Sequence, residues 1–263
     1  MNKHLLDKAN KKYKELYDTG KKRFKNLPYH HRAESNWLEK EEKNQISSYY
    51  NEYKRGTIVF VEFGVNIGHE LSGGHFAIVL NDNDNKRNSI LNVIPLSSKN
   101  KKHYYSIDKT VFHNASNHLK QRFDELSNKY QEALKRREEV REDLKELEKE
   151  VSEAKGSENI DDEKVNELIS KVSIMNDRVV ELEEITKEND KNKNLIENVY
   201  LRYSKFDKNT YACYQSIQTI SKLKIRRINK YDPSGKMKVD NATLDKIDKK
   251  IVEYYTNFSI DEK

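Results

Sequence analysis

Three stretches of the chain hold the residue types that proton transfer and anion binding use. The first runs from Gly68–His69–Glu70 to Gly73–Gly74–His75. The second is Ser97–Ser98, and the third joins Lys99, Lys101 and Lys102 to His103, Tyr104 and Tyr105. Histidine titrates near neutrality and can take or give a proton. A serine hydroxyl donates to an anionic oxygen, and paired glycines let a backbone approach a phosphate closely. Lysines beside tyrosines suit a single-stranded nucleic acid, whose phosphates are attracted while its unpaired bases stack. Each stretch also has a plainer reading: a strand-end histidine, a turn serine, a tight strand-entry turn, or a tyrosine that packs inward. Adjacent His69 and Glu70 do not make a zinc pattern. The single cysteine, Cys213, excludes an intrachain disulfide framework and any multi-cysteine metal site.

The elements that must position these residues sit in a polar chain of 263 residues, 36% charged and 35% hydrophobic, with a mean hydropathy of −1.04. That is too polar for one globule around a single core. No stretch approaches the roughly 20 apolar residues of a membrane span, and residues 1–25 lack the apolar run of a secretory signal. A soluble, cytoplasmic protein is expected. The net charge of +6 is uneven. Residues 1–56 hold 14 Lys/Arg against 8 Asp/Glu and residues 201–263 repeat those numbers, whereas residues 112–200 hold 16 against 23. Basic flanks suit a polyanionic partner, although lysine-rich surfaces also merely aid solubility.

The acidic middle has a helical period. Leu126, Tyr130, Ala133, Arg137, Val140, Leu144, Leu147 and Val151 alternate steps of four and three, a heptad seam interrupted once by Arg137. Val165, Leu168, Val172, Met175, Val179 and Leu182 form a second seam, with Ile185 near its next position. Gly156 and the cap candidates within Ala154 to Glu163 break the two apart, which predicts an antiparallel coiled-coil hairpin over 112–200. Outside it, short β-rich runs occur at Thr57–Glu62, His75–Leu80, Ser89–Leu96, Tyr104–Asp108, Thr210–Ser216 and Lys224–Asn229. Residues 241–257 read as a capped amphipathic helix, and residues 1–54 as helical with breaks at Gly20 and near Pro28. The expected class is α+β: a β domain over 55–111 and 201–257, split by the hairpin and preceded by a helical extension.

Arg55–Gly56–Thr57–Ile58–Val59, then Gly68–His69–Glu70, then Ala77–Ile78–Val79–Leu80, occur in the order of the MazF/PemK family of toxin endoribonucleases, which the chain resembles. The resemblance continues through Val93–Ile94–Pro95–Leu96–Ser97–Ser98 and Tyr214–Gln215–Ser216–Ile217–Gln218–Thr219–Ile220, and ends in the helix from Leu244. It covers roughly 120 residues. It implies a small SH3-like β barrel of the MazF/PemK/CcdB kind, usually a homodimer, with the hairpin and N-terminal arm as departures. It also implies metal-independent cleavage of single-stranded RNA, with no cofactor: a ribose 2′-hydroxyl attacks phosphorus, leaving a cyclic phosphate. An antitoxin protein is the implied partner.

On this resemblance His75 stands where the family has arginine, and Phe76 replaces its proline. Arginine only stabilises charge; histidine can move a proton, so His75 is read as general acid or base. Ser97 keeps the hydroxyl of the family threonine and could donate to a non-bridging oxygen. Glu70 matches the loop glutamate and would orient His75 or contact a base. His69, Gly73, Gly74, Ser98, Lys99, Lys101, Lys102, Tyr104, Tyr105 and Gln215 complete the expected RNA contacts. The alternatives are a non-catalytic member binding nucleic acid or protein, and an adaptor whose hairpin does the binding. Toxins that poison DNA gyrase use the same fold, which is an analogy of fold alone.

Overall fold

The apolar runs near residues 58–97 are continuous rather than alternating, the pattern of strands covered on both faces. The computed structural model describes residues 2–107, 109–156, 162–207 and 209–258. They fall into two compact units, one from residues 1–114 and 204–263, the other from Ala115–Tyr203.

In the first unit β1 (Ile58–Glu62), β2 (Gly74–Val79), β3 (Ile90–Ser97), β4 (Tyr105–Ile107), β5 (Thr210–Ala212), β6 (Gln218–Ser221) and β7 (Ile225–Arg226) form one antiparallel sheet. Its order is β4-β5-β3-β2-β1-β7, with β6 also on β3. The register fixes the faces: Val59 lies opposite Ala77, and Val79 opposite Val93. Val59, Val61, Ala77, Val79, Leu91 and Val93 pack with Phe63 and Ile220 as one core. Alternation sends Phe60 and Phe76 to the other face. There Phe76 meets Phe60, Phe112 and Phe206 with ring centroids 5.0–5.3 Å apart. Pro95, lacking an N–H, sits where β3 changes partner from β6 to β5, and its carbonyl accepts from Cys213 N at 2.9 Å.

Among the described residues the sheet does not close, so the expected SH3-like barrel is not shown. Its outermost strands, β4 and β7, are three and two residues long, and neither pairs with the other. The Thr210–Ser216 run also divides. After β5, Tyr214–Ser216 forms a 3₁₀ turn before β6 begins. Of the Tyr104–Asp108 run, Asp108 lies outside the described residues.

The extension is helical over less of its length than expected. α1 (Lys3–Asp18), a 3₁₀ turn (Lys22–Phe24) and α2 (Leu27–Glu42) are followed by irregular chain to residue 57. The helical stretch does break near Pro28, at residues 25–26, and Pro28 then sits in the first turn of α2, where its missing N–H has no helical partner to lose. The terminal helix, here labelled α5 (Asn241–Tyr255), is capped by Asp240, whose carboxylate accepts from Thr243 N at 2.8 Å. Leu244 and Ile247 bury its inner face. Gly56, at φ +81°, leaves room for Leu244, because a Cβ there would stand 2.8 Å from Leu244 Cδ1. Arg55 ties the sheet to α5 by bonding Leu80 O and Asp248.

The second unit is the helical pair α3 (Thr110–Lys155) and α4 (Asp162–Tyr203), apart from the first residues of α3. Residues 157–161, within the expected turn, lie outside the described residues. Every position of the first seam is at least half-buried, Arg137 included. Arg141 pairs with Glu183, and the Lys193 ammonium sits 4.6 Å from the Tyr130 ring centroid, an antiparallel register. On α4 the seam passes through Thr186, which is buried, while Ile185 is exposed. Thr186 tolerates burial because its hydroxyl donates to Leu182 O at 2.7 Å.

Candidate active site

β2 and β3 set the geometry. Their register pairs Ala77 with Pro95. Carried two residues towards the start of β2, it sets His75 opposite Ser97, on the face of Ala77 and Pro95. His75 Nδ1 lies 3.2 Å from Leu96 O. A carbonyl only accepts, so in the neutral ring Nδ1 carries the proton and Nε2 the lone pair. Across β1, His75 pairs with Val61, and its ring centroid is 6.4 Å from that of Phe63. The imidazole thus stands half-buried at the rim of the valine core. Ser97 Oγ accepts from Lys99 N at 3.0 Å and donates to Lys99 O at a long 3.2 Å. Its hydroxyl therefore sits in a local turn.

Among the described residues no hydrogen bond joins this pair to Glu70. It lies in the loop between β1 and β2, exposed, with its N–H on Ile67 O at 3.2 Å. Its carboxylate makes no hydrogen bond or ion pair among the described residues. His69 is likewise exposed on that loop. The two glycines have packing reasons. Gly73 is buried at φ +86°, and its N–H is spent on Gly64 O at 2.7 Å, leaving no donor for a phosphate. A Cβ on Gly74 would stand 2.4 Å from Phe60 Cζ.

Beyond Ser97 the turn exposes Ser98, Lys99, Lys101 and Lys102. Tyr104 turns its hydroxyl to the Cys213 thiol; burial first, then that contact, pushes its pKa up. Tyr105, paired with Ala212, starts β4, and Gln215 is exposed on the 3₁₀ turn after β5. His103 adopts φ +64° and brings its ring within 5.0 Å of Tyr254 and 6.3 Å of Tyr214. With Tyr255, 4.9 Å from Tyr254, these rings form a partly exposed aromatic group beside the lysines. Tyr214, Tyr254 and Tyr255 were not legible as site residues. Two of them read only as one face of a helix, and no local signal places that face beside a turn 150 residues earlier.

Among the described residues no group of three or more His, Cys, Asp or Glu could hold a metal ion, and no helix is long and apolar enough to cross a membrane. No curated protein matches the chain. A family model does: that of the PemK-like, MazF-like toxins of type II toxin–antitoxin systems, over residues 54–152. The match opens beside Arg55, takes in β1 to β4 with His75 and Ser97, and runs into α3. Over that span the chain is similar to the PemK-like, MazF-like toxins, with a long helical hairpin set between β4 and β5.

Proposed function

We propose that this chain is a MazF/PemK-like toxin that cleaves single-stranded RNA. One observation supports the reading: His75 Nδ1 lies 3.2 Å from Leu96 O, at the start of the strand that pairs with the one ending in Ser97, so a neutral ring bonded there would keep its proton on Nδ1. The ring's Nε2 takes the proton of a ribose 2′-hydroxyl as that oxygen bonds to the adjacent phosphorus. The bond from phosphorus to the 5′ oxygen breaks, and that oxygen takes a proton from solvent water to leave as a 5′-hydroxyl, while the His75 imidazolium returns its proton to solvent; the other product is a 2′,3′-cyclic phosphate. Ser97 Oγ gives up its long bond to Lys99 O and donates to the charged phosphorane. Lys99, Lys101 and Lys102 hold neighbouring phosphates, and Tyr105 with Tyr254 offers rings to unpaired bases. The similarity to type II toxins supports an antitoxin protein as partner, and a homodimer is the working state taken from the resemblance alone.

The test is to incubate the protein with single-stranded RNA in EDTA and examine the ends. Cyclic phosphate ends that disappear in His75→Ala are expected. A second reading, RNA binding without cleavage, is favoured by the turn that occupies Ser97 Oγ. Retention of RNA with no new ends would select it.

A further inference from the structure

The loop between β1 and β2 is closed at its base and bare at its tip. Gly73 N bonds Gly64 O at 2.7 Å, and Phe63 N bonds Gly73 O at 2.9 Å. Above them Asn66 N reaches Ser72 Oγ at 3.0 Å, Asn66 Nδ2 reaches Leu71 O at 2.7 Å, and Glu70 N makes a long 3.2 Å bond to Ile67 O. Ile67 at the tip is 85% exposed, and Gly68, His69 and Glu70 are exposed with it. A tip of this kind opens at little cost unless something outside holds it.

The N-terminal arm does so. The Arg23 guanidinium donates through Nη1 to Gly68 O at 2.9 Å and through Nη2 to Asn66 O at 2.8 Å. Its planar fork matches two carbonyls two residues apart, which a lysine ammonium, a single point of charge, does not. Two contacts seat the arm. Leu27 is 5% exposed, and the His30 ring covers Gly64 so closely that a Cβ there would stand 2.5 Å from His30 Cε1. On α2 Trp37 also receives Arg226 of β7, 5.3 Å from its ring centroid. The arm is therefore built into the loop and the sheet edge at several points.

We propose that Arg23 is a positioning residue: it fixes the loop that presents His69 and Glu70 beside the strand carrying His75, and thereby sets RNA affinity. The second half of that statement rests on the function proposed above. The first half does not.

The experiment uses the full chain with Arg23→Ala and Arg23→Lys. Amide exchange at residues 66–70 should rise about tenfold in Arg23→Ala, the effect of losing hydrogen bonds to a charged group, with the melting temperature unchanged. KM for a single-stranded oligonucleotide should rise about threefold to tenfold while kcat stays within about twofold. Arg23→Lys should leave exchange raised, because charge without the fork does not bridge both carbonyls. Unchanged loop exchange in Arg23→Ala overturns the clamp, and so does full rescue by lysine. A looser loop with an unaltered KM overturns its role in affinity. A wild-type protein inert towards RNA sinks the functional reading and the affinity clause with it, and the exchange data then decide the clamp alone.

Discussion

The Lys222 ammonium lies 2.7 Å from Asp84 Oδ2, with the two side chains 2% and 0% exposed. Its remaining protons go to Asn51 O at 2.9 Å and Asn85 O at 3.1 Å, so the buried cation is fully satisfied. Asp84 also accepts from Tyr53 N at 2.9 Å. The pair thus pins the chain before β1 and the β2–β3 connection to the residue that follows β6. Burial alone would raise the Asp84 carboxyl, but the bonds from Lys222, Tyr53 N and Asn88 outweigh it and hold the pKa below the ordinary value. A carboxylate depressed in the folded state stabilises above its unfolded pKa of about 3.9, and loses that contribution as pH falls through the folded value. Lys222→Met, which strands the carboxylate, should cost about 3–5 kcal/mol at pH 7 in chemical denaturation. Asp84→Asn should flatten the acid limb of the stability curve below about pH 4. An unchanged acid limb would contradict the assignment.

His75→Ala should lower RNA cleavage by about 10²- to 10⁴-fold, the scale of a lost proton-transfer group. Ser97→Ala should lower it about 10- to 10³-fold if the hydroxyl meets the phosphorane. Single-turnover rates on a short single-stranded RNA measure both. A His75→Ala protein that cleaves at the wild-type rate ends the proposed mechanism.

The antiparallel pairing of β2 with β3 could be read from the sequence because it depends on two strong signals, continuous apolar runs and neighbours joined by a short connection. The hairpin was legible for a similar reason, as its seams repeat over many residues. The open sheet was not. Whether β7 closes on β4 depends on ladders two and three residues long, below what a periodicity can register. Arg23 and the Tyr214–Tyr254 group escaped because each is a contact between segments far apart in sequence, made by residues whose local pattern says only surface helix or turn. Ile185 and Thr186 show the limit within a legible element. The apolar residue was the natural seam choice, yet the helix turns the threonine inward and satisfies its hydroxyl internally.

Cys213 should be inert in the native protein. It is fully buried, and burial pushes its thiol up to about 11, while the Tyr104 hydroxyl and the Lys101 charge pull the other way. At pH 7.5 the thiolate fraction is then about one part in several thousand. A thiol-reactive dye should label it at a negligible rate until denaturant is added, then stoichiometrically. Rapid labelling of the folded protein would show that the thiol is not enclosed.

Replacing residues 118–198 with a short Gly/Ser linker should leave the sheet folded. The two compact units divide at residues 114 and 204, and the replaced residues lie within the second. Phe112 and Phe206 stay to cover Phe76, and their rings stack 5.3 Å apart. His113 Nδ1 and Asp207 Oδ1 stay as well, 2.8 Å apart, so the ends to be joined are already held together and the linker closes a short gap. The removed segment is acidic, lying within the stretch with 16 Lys/Arg against 23 Asp/Glu, and so is a poor surface for RNA phosphates. Oligonucleotide affinity should therefore stay within about twofold of the full chain, while any protein partner that reads the hairpin is lost. A cooperative thermal melt and a binding titration check the two halves. Loss of all cooperative unfolding would show that the hairpin is part of the sheet's core. A large fall in RNA affinity would show instead that the helices, against their charge, carry the nucleic acid.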